Sequence, residues 1–256
     1  MHVVGIYGLG QDKEPLVGPL AAAWGRTNYE ALARLRTPGD GPLVVAFFAA
    51  EEQAERLAAR LRSAGFSALV LTPGEIEDEG RARVVRQFEL GDREFLVEAE
   101  KSGRLSVPFL DIDLILRGTG VAVTVSTEIS KNRSLSLGRA LMSGGMIISK
   151  TTKDVREVKK EEREGFIKLY AGNGPPFILL ENSLAYDSLG RDRRLTRTGN
   201  FVYLTSELRQ RCPNARYDER LLTRPGQISL LGPSLSPEKH LDVATALLAK
   251  ALRKRN

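Results

Sequence analysis

Apolar positions change period several times along the chain, and each change marks an expected element. Residues 2–7, HVVGIY, are rich in Val, Ile and Tyr and predict a strand. From Leu16 the period lengthens, because Leu16, Leu20 and Trp24 fall four apart, the spacing of one helical face. Gly25 interrupts that face. Thr27, with Glu30 three residues on, is a capping-box pattern and predicts a second helix running to about Arg36, closed by Pro38 and Gly39. PLVVAFFA (42–49) is a short continuous apolar run, as in a strand covered on at least one face. EEQAERLAARLRSA (51–64) predicts a helix whose first turn carries Glu51 and Glu52, where the helix dipole favours negative charge. Its buried stripe is Ala54, Leu57, Ala58 and Leu61. Gly65 suits the left-handed residue after the helix, and Phe66 is placed to pack back on its last turn. SALVLTP predicts a third strand, so the first part has the order β-α-α-β-α-β.

GEIEDEG (74–80) is acidic and bounded by glycine, and is expected to be a linker over 74–81. The texture then turns to strands: VVRQFEL, EFLVEAE, RLSVPF, DIDLILRG and VAVTVST. Turn signals at Gly91-Asp92 and Ser102-Gly103 suggest an antiparallel meander. SLGRALMSGGMIISK (136–150) is ambiguous between a broken helix and a strand. The mixed-charge segment 150–164 is expected to be a solvated loop or protruding hairpin. FIKLYAG and PFILLEN predict a further strand pair. Phe201, Leu204 and Leu208 give a closing helix stopped at Pro213, and Leu241, Ala244, Leu247, Leu248 and Ala251 give a last amphipathic helix.

Charge sharpens the division of the chain. Residues 1–80 hold 7 basic and 11 acidic side chains, whereas the remainder holds 31 and 21. This asymmetry supports domains with different surfaces. The expected organisation is a domain at 1–73, a linker at 74–81, a strand-rich domain at 82–224, and a tail with its helix at 225–256. The fold class is α+β, a small α/β sandwich followed by a mostly antiparallel β module. No run approaches the roughly 18–20 apolar residues that cross a bilayer, and the N-terminus has no secretory pattern. With one cysteine, Cys212, no disulfide can form within the chain, so a reducing, cytoplasmic setting is expected.

Two stretches resemble known families. In residues 1–73 the strand, the glycine-broken helix pair AAWGRTNYEALARL and the later EEQAERLAARLRSAGFSALVL are similar to the C-terminal domain of the bacterial ribosomal stalk protein. That resemblance implies a compact α/β sandwich. The lysine-rich factor-binding surface of that family is missing here, so its function does not carry over. Residues 82–212, with FLVEAEKSGRLSVPFLDIDLILRG near their start, resemble a pleckstrin-homology or GRAM-type module. This implies a run of strands closed by a helix, and a role in binding lipid headgroups, peptides or protein surfaces rather than in catalysis.

Candidate chemistry is sparse. Gly8-Leu9-Gly10 follows a strand, but Lys13 stands where a dinucleotide fingerprint needs its third glycine, and Pro15 delays the helix. The glycines are expected to serve a turn. Two distant histidines and one cysteine cannot assemble a zinc site, so no metal or cofactor is expected. Cys212, amid Arg209, Arg211 and Arg216, is either a reactive thiol with lowered pKa or a packing group. Asp111 and Asp113 have strand spacing and would share one face, with Ile112, Leu114 and Leu116 turned inward. An unrecognised enzyme site would be built on Asp111, Asp113, Tyr217 and Asp218. The strongest feature is the basic stretch 191–224, with nine arginines against four acids. Its candidate binding residues are Arg191, Arg193, Arg194, Arg197, Arg209 and Arg211, suited to bidentate contact with phosphate or carboxylate. The expected function is a non-enzymatic adaptor for a protein partner, with anionic lipid or nucleic acid as further possible partners. The alternatives are a ribosome- or nucleic-acid-associated protein and an enzyme.

Overall fold

The computed structural model describes residues 1–37, 40–100, 102–134, 150–172 and 174–253; residues 121–134 and 150–162 are described by backbone alone. The chain forms two compact units, one of Met1–Gly120 with Glu164–Asn256, the other of Val121–Arg163. The fold is α+β, with a three-stranded antiparallel sheet and a seven-stranded mixed sheet.

The first sheet contains β1 (His2–Tyr7), β2 (Leu43–Phe48) and β3 (Ser67–Leu71), with β1 central and antiparallel to both neighbours. Three helices connect them: α1 (Val17–Trp24), α2 (Asn28–Leu35) and α3 (Glu51–Ser63). The predicted local signals are in place. Gly25 adopts φ 74° after α1. Thr27 Oγ1 accepts from the Glu30 N–H at 3.2 Å, while the Glu30 carboxylate accepts from the Thr27 N–H at 2.9 Å. Gly65 has φ 88°, and the Phe66 N–H reaches back to the Leu61 carbonyl at 3.0 Å. The buried side chains of α3 are Ala54, Leu57, Ala58 and Leu61, which pack with Val4, Ile6 and Leu20. Beyond β1, Gly8 and Gly10 both adopt φ 70°, which lets the chain turn while Leu9 drops into this core.

The opposite face of the small sheet is also buried. Val3, Val44, Leu69 and Leu71 share a core with α6 (Arg224–Leu231), α7 (Leu241–Arg253) and the large sheet. Gly5 lies where the helix comes closest, since a Cβ there would stand 2.6 Å from Leu247 Cδ1. α7 is buried on nearly every side, from Val243 to Ala249 and again at Ala251. Its alanines allow that close approach. The expected tail is therefore central core. Arg34 adds a polar tie to the same region. It is buried and donates to the carbonyls of Val44 (2.7 Å), Ser229 (2.9 Å) and Leu230 (2.7 Å), the last two at the C-terminal end of α6. Burial lowers its pKa to about 10, which leaves it charged at neutral pH.

Residues 74–80 correct the linker expectation. They lie in a helix, α4 (Pro73–Gly80), capped by Thr72 and Glu75 in a second capping box. Its acids look like a solvated linker, yet Glu75 and Glu79 fall four apart on one face, and Glu79 is buried.

The large sheet follows the order β10 (Arg216–Leu221), β7 (Ile112–Ser134), β8 (Lys150–Ala171), β9 (Phe177–Leu180), β4 (Arg83–Leu90), β5 (Glu94–Ala99), β6 (Gly103–Pro108). β4, β5 and β6 form the expected antiparallel meander, but β9 joins β4 in parallel and β10 joins β7 in parallel. The stretches DIDLILRG and VAVTVST, read as two strands, belong to one, and 150–164 is strand rather than loop. The ambiguous segment 136–149 lies outside the described residues, as do Pro38 and Gly39. One face of the sheet packs against α5 (Arg197–Arg211) through Phe201, Leu204 and Leu208, and the other against α7. The run Ile112–Leu116 is apolar apart from Asp113 because it serves both cores: Leu114 and Leu116 face one, Ile112 and Ile115 the other.

Candidate functional site

The arginine-rich stretch is built on the N-terminal end of α5. Thr196 caps that helix by accepting from the Gly199 N–H at 3.0 Å. Asn200, buried in the first turn, clamps the incoming backbone: its Oδ1 accepts from the Arg194 N–H (2.6 Å) and its Nδ2 donates to the Arg194 carbonyl (3.2 Å). The chain before it is thereby fixed, and Arg191, Arg193, Arg194 and Arg197 all stand exposed. Arg193 donates to Asp187 at 2.9 Å, Arg197 to the Asn182 carbonyl at 2.7 Å, and the Arg194 guanidinium lies 5.0 Å from the Tyr203 ring centre. Arg193, Arg194 and Arg197 line a surface hollow of about 360 Å³ with Asn182, Ser183 and Asn200. Leu195, between them, is fully exposed.

The other predicted arginines lie elsewhere. α5 rises about 1.5 Å per residue, so Arg209 and Arg211 sit roughly 18–21 Å along the helix from Arg197. Arg209 stacks 4.1 Å from the Tyr217 ring centre, while Arg211 pairs with Glu207 at 3.0 Å and donates to the Gly91 carbonyl at 2.9 Å. Arg216 reaches the Leu252 carbonyl (2.7 Å), Arg220 pairs with Asp218 (2.7 Å), and Arg224 with Glu238 (3.0 Å). Three of the predicted six thus line one hollow, Arg191 is exposed beside them, and Arg209 and Arg211 lie at the far end of α5.

Cys212 is a packing group. It is buried against the face that carries Leu204 and Leu208, and burial pushes its thiol up to about 11. Nearby arginines do not offset this, since their guanidiniums are engaged elsewhere. The thiolate is the nucleophile, so native protein at pH 8 should react with iodoacetamide at least tenfold more slowly at Cys212 than denatured protein, as read by mass spectrometry. Equal rates would contradict this burial.

The four residues considered for an enzyme site are not gathered. Asp111 belongs to a 3-10 turn (Phe109–Asp111) ahead of β7, so strand alternation with Asp113 does not apply. The Tyr217 hydroxyl donates to Glu219 at 2.9 Å and Asp218 accepts from Arg220, leaving Asp113 alone of the four on the wall of a larger cavity. Among the described residues no group of three or more His, Cys, Asp or Glu is placed to hold a metal ion, and no helix is long and apolar enough to cross a membrane.

That cavity, about 780 Å³, lies where α4, α7 and the large sheet meet. Behind its wall is a buried polar network. Lys168 Nζ donates to Glu79 Oε2 (2.7 Å), to the Glu79 carbonyl (3.2 Å) and to Thr245 Oγ1 (3.2 Å). The Tyr170 hydroxyl donates to the same Glu79 oxygen at 2.9 Å. Burial, with Glu79 beside it, raises the Tyr170 pKa well above its usual value, so it remains a donor. Lys250 from α7 pairs with Glu75 and also donates to the Val70 carbonyl at 2.7 Å. Burial would push the Glu75 carboxyl up, but hydrogen bonds from Lys250 and Thr72 outweigh it and hold it low. The stability from this tie is present above the usual carboxylate range and is lost as pH falls. Lys168 and Tyr170 are two apart in FIKLYAG and share a strand face, a signal present in the sequence. Their partner on α4 was hidden in an acidic run. Comparison with protein-family models, curated proteins and solved structures finds no match to this chain.

Proposed function

We propose that this protein is a non-enzymatic cytoplasmic adaptor that binds an anionic partner surface through Arg191, Arg193, Arg194 and Arg197. The observation that carries this reading is the preorganised loop: Asn200 and Thr196 fix its backbone, so Arg193, Arg194, Leu195 and Arg197 are presented together around a hollow, with Arg191 exposed just before them. A fixed loop loses less conformational freedom on binding, and arginine forks suit carboxylate and phosphate alike. The resemblance of the sequence of residues 82–212 to pleckstrin-homology-type binding modules points the same way, as a fold-level analogy.

The test uses a defined polyanion, because a chain with net charge +6 binds anions in part through overall charge. Heparin affinity is measured for the wild-type chain, for the triple variant Arg193→Glu, Arg194→Glu, Arg197→Glu, and for Arg209→Glu at the far end of α5. The triple variant is expected to bind at least tenfold more weakly and to elute at distinctly lower salt, while Arg209→Glu stays close to wild type. Equal weakening per charge reversed at both ends would show that net charge, not this face, governs binding and would overturn the proposal.

A further inference from the structure

The arginine face carries one residue that an anion alone does not explain. Leu195 is completely exposed. It precedes Thr196, the cap of α5, and an apolar residue in that position ordinarily packs against the fourth residue of the helix. Here the fourth residue is Asn200, a buried amide whose oxygen and nitrogen are both spent on the Arg194 backbone. That apolar contact cannot form, and the clamp that fixes the loop leaves Leu195 in solvent. The arginines around it are open as well. Arg193 and Arg197 are each held through Nη1, to Asp187 and to the Asn182 carbonyl. Among the described residues, Nε and Nη2 of both meet no acceptor, and that edge can grip a carboxylate with two parallel hydrogen bonds. The Arg194 guanidinium meets only the Tyr203 ring among the described residues. All three arginines and Leu195 line the same hollow.

We propose that the anionic partner of this face is a protein segment in which acidic residues flank an aliphatic one, an inference that rests on the arginine reading above. Its carboxylates accept from the open guanidinium edges, and its aliphatic side chain covers Leu195. Covering a leucine is favourable only against an apolar group, which a chain of phosphates or sulfates does not offer. A hollow beside a projecting side chain is complementary to a segment with side chains of its own, and less so to a flat layer of lipid headgroups.

Fluorescence anisotropy is read for the full chain with two labelled peptides, one of glutamate pairs separated by leucines, the other with alanine at each leucine. The wild-type chain is expected to bind the leucine peptide about fivefold more tightly, and Leu195→Ala should erase that preference. The melting temperature of Leu195→Ala and its salt of elution from heparin should match the wild type, because a completely exposed side chain supports no packing and heparin offers it no apolar contact. Equal affinity of the wild-type chain for the two peptides, or a preference that survives in Leu195→Ala, would overturn the inference. Binding to phosphatidylserine vesicles that depends on Leu195, with neither peptide bound, would also overturn it and make a membrane the occupant. In those cases heparin affinity that still falls in the triple variant Arg193→Glu, Arg194→Glu, Arg197→Glu keeps the arginine reading intact. A triple variant that binds heparin like wild type would overturn that reading itself.

Discussion

Leu61→Asp is expected to leave the protein unfolded, or close to it, at 25 °C. Leu61 is completely buried among α1, α3 and the small sheet. Removing a buried leucine forfeits about 1.5–3 kcal/mol of transfer free energy, and leaving a cavity raises leucine-to-alanine losses to about 2–5 kcal/mol. Aspartate adds the cost of a carboxylate within the apolar cluster of Leu20, Leu57 and Phe66. The sum is comparable with the whole stability of an ordinary domain, roughly 5–15 kcal/mol. Circular dichroism and urea titration provide the measurement, with Arg60→Ala as a control on the exposed side of the same helix. Arg60→Ala should change stability by less than about 0.5 kcal/mol. A Leu61→Asp protein that melts like wild type would mean that this helix face is not the buried one.

Lys168→Met carries the second large effect, and its signature is in the double variant. Lys168, Glu79, Tyr170 and Thr245 form one buried network that joins β8, α4 and α7. Removing one member of a buried ion pair typically costs about 3–5 kcal/mol, because the other charge stays behind uncompensated. Lys168→Met should therefore lower stability by about that amount, shown by a lower urea midpoint. Lys168→Met with Glu79→Gln removes both charges and should be more stable than Lys168→Met alone. A double variant as unstable as the sum of the two single ones would show no coupling and would contradict the network. Hydrogen exchange in α4 should accelerate in Lys168→Met ahead of α3, since Lys168 also accounts for the Glu79 carbonyl.

Much of the small-sheet region was legible because its signals are local. A capping box, a glycine after a helix and a four-residue apolar spacing act over a single turn, and Thr27, Glu30, Gly65 and Leu61 behave as their spacing predicts. The candidate site was legible only in part. Arg193, Arg194 and Arg197 line one hollow because they are close in sequence and held by one helix start. Arg209 and Arg211 are also close in sequence, but a helix length and separate partners carry them away. The buried network escaped notice because Glu79 and Lys168 are 89 residues apart, and an acidic run with one useful glutamate reads as solvated.

The order β-α-α-β-α-β, the buried stripe of α3, the meander of β4 to β6 and the closing helix α5 were determined by the sequence itself, through propensity and period. What only the tertiary structure decided is how those pieces are covered. HVVGIY is apolar throughout because Val4 and Ile6 meet α1 and α3, while Val3 meets a core completed by α7 some 240 residues later. Gly5, inside that strand, is the contact that lets Leu247 approach. Parallel entry of β9 beside β4 and β10 beside β7 follows the same logic. Such contacts depend on closing long loops and on burying faces that no local window contains.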